Sequence, residues 1–538
     1  MKTKDTIGHK PKSLAVIFAA CGLALLCSCS KKVNNPNKEL TAQAFAQFEN
    51  KNYKIDLKTI RRQLREMART DNDSTQTDRL TRKLYRENDG LIWIDKFGID
   101  LRADTLVSHL KNAGGIGFSS NAFYIDEIEE DMKRIRSLDF GQANDINSAL
   151  ARMEYRMTKA YLRYCTGQQF GFTNPYKSLN QLDPATEDTT AKVTEYKHLF
   201  DIPIRRPDDG FYKKALETAK TDELGPFLHS VEPQSLLFDE LRGKLAAEKN
   251  ARRRWLLLCN MERHRWKREP MPQEHLDRKV VVNIPAFRLY AYSPDSVMTM
   301  KVGCGATKTK TPLLTSAINR MDINPLWNIP MSIIRKDVAP HAGNTNYFTS
   351  RRYFIVDRKT GKTLQPSQVS ASMLKSGQYR VSQEGGAGNS LGRIIFRFDN
   401  KFSVYLHDTS SRKFFDQNIR SVSHGCIRIE RPFDFARFLL GNGADEWTLD
   451  KIRISMDMQP ETEKGLKYIS DTTRSRKLIN SKKVSPEVPL YIIYQTLFKT
   501  PEGKWEEYGD IYGFDAVMRR QLEPFVKSKR NNGHRNEH

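Results

Sequence analysis

Ser421-Val-Ser-His-Gly-Cys-Ile-Arg-Ile429 decides how the rest of the chain is read. A cysteine follows a glycine and opens an Ile-Arg-Ile stretch, with a histidine two residues ahead of it. Nineteen residues upstream of Cys426 stands His407, in Phe402-Ser-Val-Tyr-Leu-His-Asp408, a segment that reads as a strand. That spacing holds a strand end, a loop over Ser410 to Arg420 and a return into the next strand, so imidazole and thiol can meet in space. Residues two apart in a strand share a face. Tyr405 therefore points with His407, and Cys426 with Arg428. Pairing the two strands gathers phenol, imidazole, thiol and guanidinium on one surface.

A thiol attacks carbonyls as its thiolate, and an imidazole can take the proton near neutral pH. His407 and His424 both compete for that role, and spacing alone does not choose between them. Gly425 lets the backbone turn beside the thiol, so the N–H groups of Gly425 and Cys426 are candidates for an oxyanion hole. Arg428 can grip a substrate carboxylate as a fork. The structural alternatives are a buried, inert thiol and a His407-Asp408 pair that merely ends a strand.

The sequence changes character at Lys279. Val280 to Ile284 and Arg288 to Tyr292 read as a hairpin, with further strands at 297–302, 353–356, 393–398 and 402–406. These mark a β-rich domain over 277–460. Its insert, about 332–391, ends in Gln383-Glu-Gly-Gly-Ala-Gly-Asn-Ser-Leu-Gly392, and a connection this long suggests a lid. No GK[ST] follows those glycines, which argues against a phosphate loop. Residues 78–275 read as mainly helical. Asp104 is placed to cap a helix through Leu106 and Leu110, and Leu237, Leu241 and Leu245 mark a helical face. Trp255 to Trp266 reads as a helix with Trp255, Leu256 and Cys259 inward and its basic end solvated. Residues 461–538 read as a C-terminal extension with a strand at 490–494. The fold class expected is α+β and multidomain: a helical scaffold followed by a mostly β catalytic domain with a capping insert.

At 538 residues, 38% hydrophobic, the chain is long enough for two to four domains, and its net charge of +24 implies anionic surroundings. The N-terminus narrows them. A basic stretch (Lys2, Lys4, Lys10, Lys12) precedes a short apolar run, Leu14 to Leu26, too short to span a bilayer. Leu26-Cys-Ser-Cys29 resembles a bacterial lipobox, which implies cleavage after residue 28 and acylation of Cys29; an ordinary signal peptide is the alternative. Residues 29–77 then hold the anchor, a polar tether and a first helix, with Leu57, Ile60, Leu64 and Met67 on one face. The expected location is the cell envelope, periplasm-facing and membrane-anchored, on the outer rather than the inner membrane. Nucleic acid is excluded as a partner. Seven cysteines without CxxC spacing indicate no zinc site, though a Cys165–Cys259 bridge is open.

Ser423-His-Gly-Cys-Ile-Arg428 resembles the SHGCxR signature of L,D-transpeptidases with the YkuD-type catalytic domain. Tyr405-Leu-His-Asp-Thr409 is similar to the YcbB-like branch, as are Val282-Asn-Ile-Pro-Ala-Phe-Arg-Leu289, Asn324-Pro-Leu-Trp-Asn-Ile-Pro330 and Asn389-Ser-Leu-Gly-Arg393, with weaker likeness at Trp93 and at Asp510-Ile-Tyr512. The resemblance implies Cys426 as nucleophile and His407 rather than His424 as base. Tyr405, Gly425, Arg428, His424 and Asn389 become candidates for the oxyanion hole or substrate contacts. It further implies peptidoglycan stem peptides as substrates, 3→3 cross-links made through a cysteinyl thioester, no cofactor and no metal, and covalent inhibition by carbapenem-type β-lactams. The alternatives are an L,D-carboxypeptidase or hydrolase, attachment of a protein lysine to the wall, and a non-catalytic wall-binding protein. The chain departs from the family in lacking the prolines of its QxPGPxNALG stretch, and no peptidoglycan-binding module is legible in 166–275.

Overall fold

The computed structural model describes residues 54–88, 90–95, 98–140, 144–185 and 193–527. The leader, Cys29 and most of the tether lie outside them. Contacts divide the chain into two units, one of Met1–Phe172, Arg206–Asn250 and Leu522–His538, the other of Thr173–Arg205 and Ala251–Gln521.

The first unit is helical: α1 (Leu57–Thr70), α2 (Gln76–Glu87), α3 (Leu101–Lys111), α4 (Ile125–Ser137), α5 (Ile146–Phe170), α6 (Asp209–Thr218), α7 (Leu224–Val231) and α8 (Leu236–Ala247). Side-chain caps start them. Thr75 and Asp78 form a capping box on α2, and Asp145 accepts from the first turn of α5. Helix α5 packs against α1, α2 and α4 and is buried nearly all round, as its run of Ala149, Leu150, Met153, Met157 and Leu162 requires. Two buried ionisable groups on α5 are fully engaged. Glu154 accepts from Tyr85 Oη (2.7 Å) and from the N–H groups of Ile92 (2.7 Å) and Trp93 (2.8 Å). Lys159 Nζ reaches Asp71 and Asp73, both at 2.8 Å.

Two local expectations shift here. The α3 cap is Asp100, whose carboxylate accepts from the Arg102 N–H, while Asp104 sits in the first turn. The inner face of α8 is Phe238, Leu241 and Leu245, with Leu237 turned outward.

The second unit is built on a ten-stranded sheet among the described residues. Its strands are β1 (Phe200–Asp201), β2 (Lys279–Asn283), β3 (Arg288–Tyr292), β4 (Val297–Gly305), β5 (Leu313–Ile323), β6 (Ile394–Phe398), β7 (Leu406–His407), β8 (Ser421–Ser423), β9 (Ile427–Ile429) and β10 (Ser481–Ile493). The pairing runs β6-β7-β9-β4-β3-β2-β10-β5, and β5 also pairs with β6, so the circuit closes on itself. Alternate residues (Val280, Val282, Leu289, Ala291, Met300, Val302, Leu406, Ile427, Ile429) fill one continuous apolar core.

Three expectations are corrected by this sheet. Segment 461–538 is not a separate extension: β10 lies between β2 and β5, parallel to the first and antiparallel to the second. The expected strand at 402–406 shrinks to Leu406–His407, because Ser403 has φ of 53° and turns the chain just before it. The basic end of the helix Ala251–Arg265 is buried rather than solvated. Arg265 pairs with Glu262 at 3.5 Å and Arg263 pairs with Asp515, while Trp255 and Leu256 are only half-buried.

The insert is a small folded cap. Strands at Tyr353–Asp357, Thr363–Leu364 and Tyr379–Gln383 form a sheet with Trp327–Asn328, and Ile329, Ile334, Phe348, Ile355, Leu374 and Val381 give it a core of its own. The strand expected at 353–356 therefore belongs to the cap. All four described cysteines (165, 259, 304 and 426) are free, so no Cys165–Cys259 bridge forms.

Candidate active site

The residues singled out in the sequence sit on β7 and on the turn into β9. These strands pair in parallel, Leu406 opposite Ile427 and His407 opposite Arg428, and the Ile427 N–H donates to the Tyr405 carbonyl at 2.9 Å. Leu406, Ile427 and Ile429 are completely buried in the core. Burial of each is worth roughly 1.5–3 kcal/mol, which fixes the register, since a slip of one residue would turn them out. Tyr405, His407, Cys426 and Arg428 are therefore held together on the opposite face, as the strand periodicity predicts.

Cys426 is half-buried, and its thiol approaches the Ser403 carbonyl at 3.9 Å. Burial pushes the thiol above its ordinary pKa, against the pull of the Tyr405 N–H and the Arg428 charge, which favour the thiolate. His407 is 4% exposed. Burial and the nearby Arg428 charge hold its pKa down at about 4, although the Asp408 and Leu391 backbones favour the protonated ring. Its Nδ1 lies 2.5 Å from the Asp408 carbonyl, an acceptor, which puts a proton on Nδ1 and the lone pair of the neutral ring on Nε2. Thiol and imidazole thus face the same side as neutral groups.

Arg428 carries the site's positive charge. Its guanidinium lies over the Phe414 ring at 5.6 Å, its Nε is buried without a hydrogen-bond partner, and burial lowers its pKa. With no carboxylate paired to it among the described residues, this guanidinium is disposed to take one. Tyr405 is half-buried, its ring beneath the Arg397 guanidinium at 5.1 Å. His424 is exposed on the turn, without the support that holds His407.

Two sequence candidates have other duties. The Gly425 N–H donates to Ser423 Oγ at 3.1 Å and is spent; Gly425 serves instead through its φ of 119°, which aims the Cys426 backbone. Asn389 is fully buried and used on the backbone. It donates to the Glu384 carbonyl (2.8 Å) and accepts from the Leu391 N–H (2.7 Å), fastening the glycine-rich stretch.

Several positioning residues escaped the sequence reading. Ser423 Oγ also donates to the Cys426 carbonyl at 2.5 Å, and Thr311 Oγ1 donates to the Gly425 carbonyl at 2.8 Å. Tyr512 holds this loop in turn: it donates to the Gly305 carbonyl (2.7 Å) and accepts from the Thr311 N–H (3.1 Å). The faint likeness at Asp510-Ile-Tyr512 was the only signal for it. Asp408 accepts from the Arg393 N–H at 2.8 Å and pairs with Arg412 at 3.1 Å. A side chain at Gly392 would strike the Asp408 carboxylate at 2.4 Å, so glycine is required where the cap returns to β6.

Residues 277–454 match the family model of the YkuD L,D-transpeptidase catalytic domain, and residues 79–245 match that of the Scaffold domain. A protein of Haemophilus influenzae named "Putative L,D-transpeptidase" is 27% identical over 323 residues, which cover 58% of this chain and 60% of that protein's length. An L,D-transpeptidase structure from Mycobacterium smegmatis aligns over 40% of this chain and 58% of its own at 13% identity, with a TM-score of 0.17, a likeness too slight to bear on the fold.

Proposed function

The chain carries a YkuD-type L,D-transpeptidase catalytic domain behind a Scaffold domain, and from that premise we propose that it is a peptidoglycan L,D-transpeptidase that forms 3→3 cross-links through a thioester on Cys426. The supporting observation is the shared face of β7 and β9, where Cys426, His407 and Arg428 converge. His407 Nε2 takes the thiol proton as sulfur attacks the carbonyl carbon of the third residue, a diamino acid, in a tetrapeptide stem. The C–N bond to the terminal D-alanine then breaks, and the proton passes from His407 to the leaving amine. In the second half the side-chain amine of a neighbouring stem attacks the thioester, gives its proton to His407 and releases Cys426 as the thiol. Arg428 holds a stem carboxylate, and Tyr405 with the Cys426 N–H supports the oxyanion. The energy of the cleaved peptide bond is conserved in the thioester, so the reaction draws on no cofactor.

Lipidation of Cys29 would keep this domain at the envelope, on the outer membrane in our reading, within reach of the wall through a polar tether; radiolabelled palmitate incorporated by the wild type and not by Cys29→Ala tests it. For the chemistry, a carbapenem is mixed with the purified protein and the mass is measured. The expected result is one acyl adduct, absent in Cys426→Ala, with loss of cross-linking of at least about 1,000-fold in that variant. An adduct that survives the substitution overturns the assignment. Analysis of muropeptides then reads 3→3 dimers, as proposed, or trimmed tripeptides, which would make water the acceptor.

A further inference from the structure

Within the residues matched by the Scaffold domain, three ligating side chains meet: His109 on α3, and His229 and Glu232 at the end of α7. One ligand atom from each lies within 4.8 Å of the others. We propose that His109, His229 and Glu232 form a binding site for a divalent transition-metal ion, zinc by the nature of its donors, that clips α3 to α7.

The argument starts from one edge of the cluster. His109 Nε2 lies 3.1 Å from Glu232 Oε1. Two ligands about 2.0–2.1 Å from a tetrahedral zinc stand about 3.3 Å apart, so this edge already has the length that a bound ion would impose. The Tyr164 hydroxyl donates to the same Oε1 at 2.7 Å, and an ionised carboxylate only accepts, so the proton between Nε2 and Oε1 belongs to the imidazole. A metal ion takes the place of that proton when the ring carries its hydrogen on Nδ1 instead.

The remaining ligand closes by a small motion. His229 is exposed, and its ring stands edge-on to that of His109 with centroids 5.1 Å apart. Its backbone is fixed where it matters. The Glu232 N–H donates to the His229 carbonyl at 3.2 Å, and Gln234 Nε2 donates to the same carbonyl at 2.9 Å. The turn that carries both ligands is therefore set, and only the His229 side chain has to move.

The carboxylate is prepared as well. Arg242 Nη1 lies 3.7 Å from Oε2, orienting the group and leaving Oε1 toward the imidazoles. Such outer contacts commonly tune a metal ligand. Two nitrogens and one oxygen, with a fourth position for water, suit zinc, whereas calcium and magnesium prefer all-oxygen shells. Only His229-Ser-Val-Glu232 hints at this in the sequence, because His109 lies far upstream of the pair. That is why the expectation of no metal is revised here. The proposed role is structural.

The experiment uses the purified full chain without a histidine tag, stripped with a chelator and titrated with Zn²⁺ against a chromophoric competitor, alongside thermal melting. The expected result is one Zn²⁺ per chain and a rise in Tm, with affinity reduced at least about 10-fold in His229→Ala and in Glu232→Gln. His229 is exposed, so its variant retains the metal-free Tm of the wild type and decides the matter even if Glu232→Gln folds poorly. Absence of stoichiometric binding, or binding that persists unchanged in His229→Ala, overturns the proposal.

Discussion

Helix α5 and the β7–β9 face both hold ionisable groups out of water, and they treat them in opposite ways. On α5, Lys159 is paired with two aspartates and Glu154 receives three hydrogen bonds. Across β7 and β9, among the described residues, Arg428 keeps its Nε without a partner, and the Cys426 thiol is met by backbone groups of Ser403 and Tyr405. A charge whose partners are all supplied by the fold stabilises the fold. A charge left short of partners is costly until something from outside completes it. The contrast lies in counter-charge: Asp71, Asp73 and Asp78 face Lys159 and Arg163 of α5, whereas no acidic side chain among the described residues pairs with Arg428.

The largest effect expected from this contrast is on stability. Lys159→Met removes the cation shared by Asp71 and Asp73, leaving them the Tyr155 and Tyr124 hydroxyls, and should cost about 3 kcal/mol in urea unfolding, while the rate of acylation by a carbapenem stays as in the wild type. A loss of acylation with stability intact would break the comparison.

The two regions should also answer pH with opposite signs. Burial raises Glu154 from 4.5 to about 7, so its contribution is full below about pH 4.5 and is lost as pH rises through 7. His407 and His264 are lowered from 6.5 to about 4; their contribution is present above about pH 6.5 and is lost as pH falls through 4. Each group spans up to about 3 kcal/mol. Hydrogen exchange corrected for its intrinsic pH dependence should show α5 losing protection between pH 4.5 and 7.5 and β7 gaining it. Parallel changes in both would be incompatible with this reading.

Arg428→Ala is the converse of Lys159→Met. Loss of a charge-assisted contact to substrate should cost about 1.5–3 kcal/mol in kcat/KM, with Tm unchanged or higher because an unpaired buried cation has been removed. The smallest effect tests the support behind the nucleophile. Thr311→Val removes the hydrogen bond to the Gly425 carbonyl and should lower the acylation rate by about 1 kcal/mol, mainly through kcat rather than KM.

Those experiments also mark what was legible in the sequence. The hairpin over 279–292, the strand face carrying His407 and Cys426, and the helical character of the first unit follow from periodicity and turn residues alone. Strand β10 was legible only in its second half, because its first half, Ser481-Lys-Lys-Val-Ser-Pro486, is polar and contains a proline. The register breaks between Lys483 and Val488, and Pro486 sits inside that irregularity. The basic end of the helix Ala251–Arg265 misled for a related reason: charge predicts solvent only when no acidic partner waits, and Asp515 comes from a distant part of the chain. Gly425 and Asn389 invited site roles because their chemistry permits them. Only coordinates reveal that Ser423 and nearby carbonyls already occupy those groups.

The manner in which the cap is fastened has a bearing on inhibition. Its chain leaves and rejoins the barrel side by side, the Asn324 N–H donating to the Arg393 carbonyl at 2.6 Å, and Gly392 is wedged against Asp408, the residue after His407. A roof bolted at both feet ties its own position to that of His407. On the proposed function, an acylating inhibitor would have to fit beneath that roof as it stands or shift both feet together.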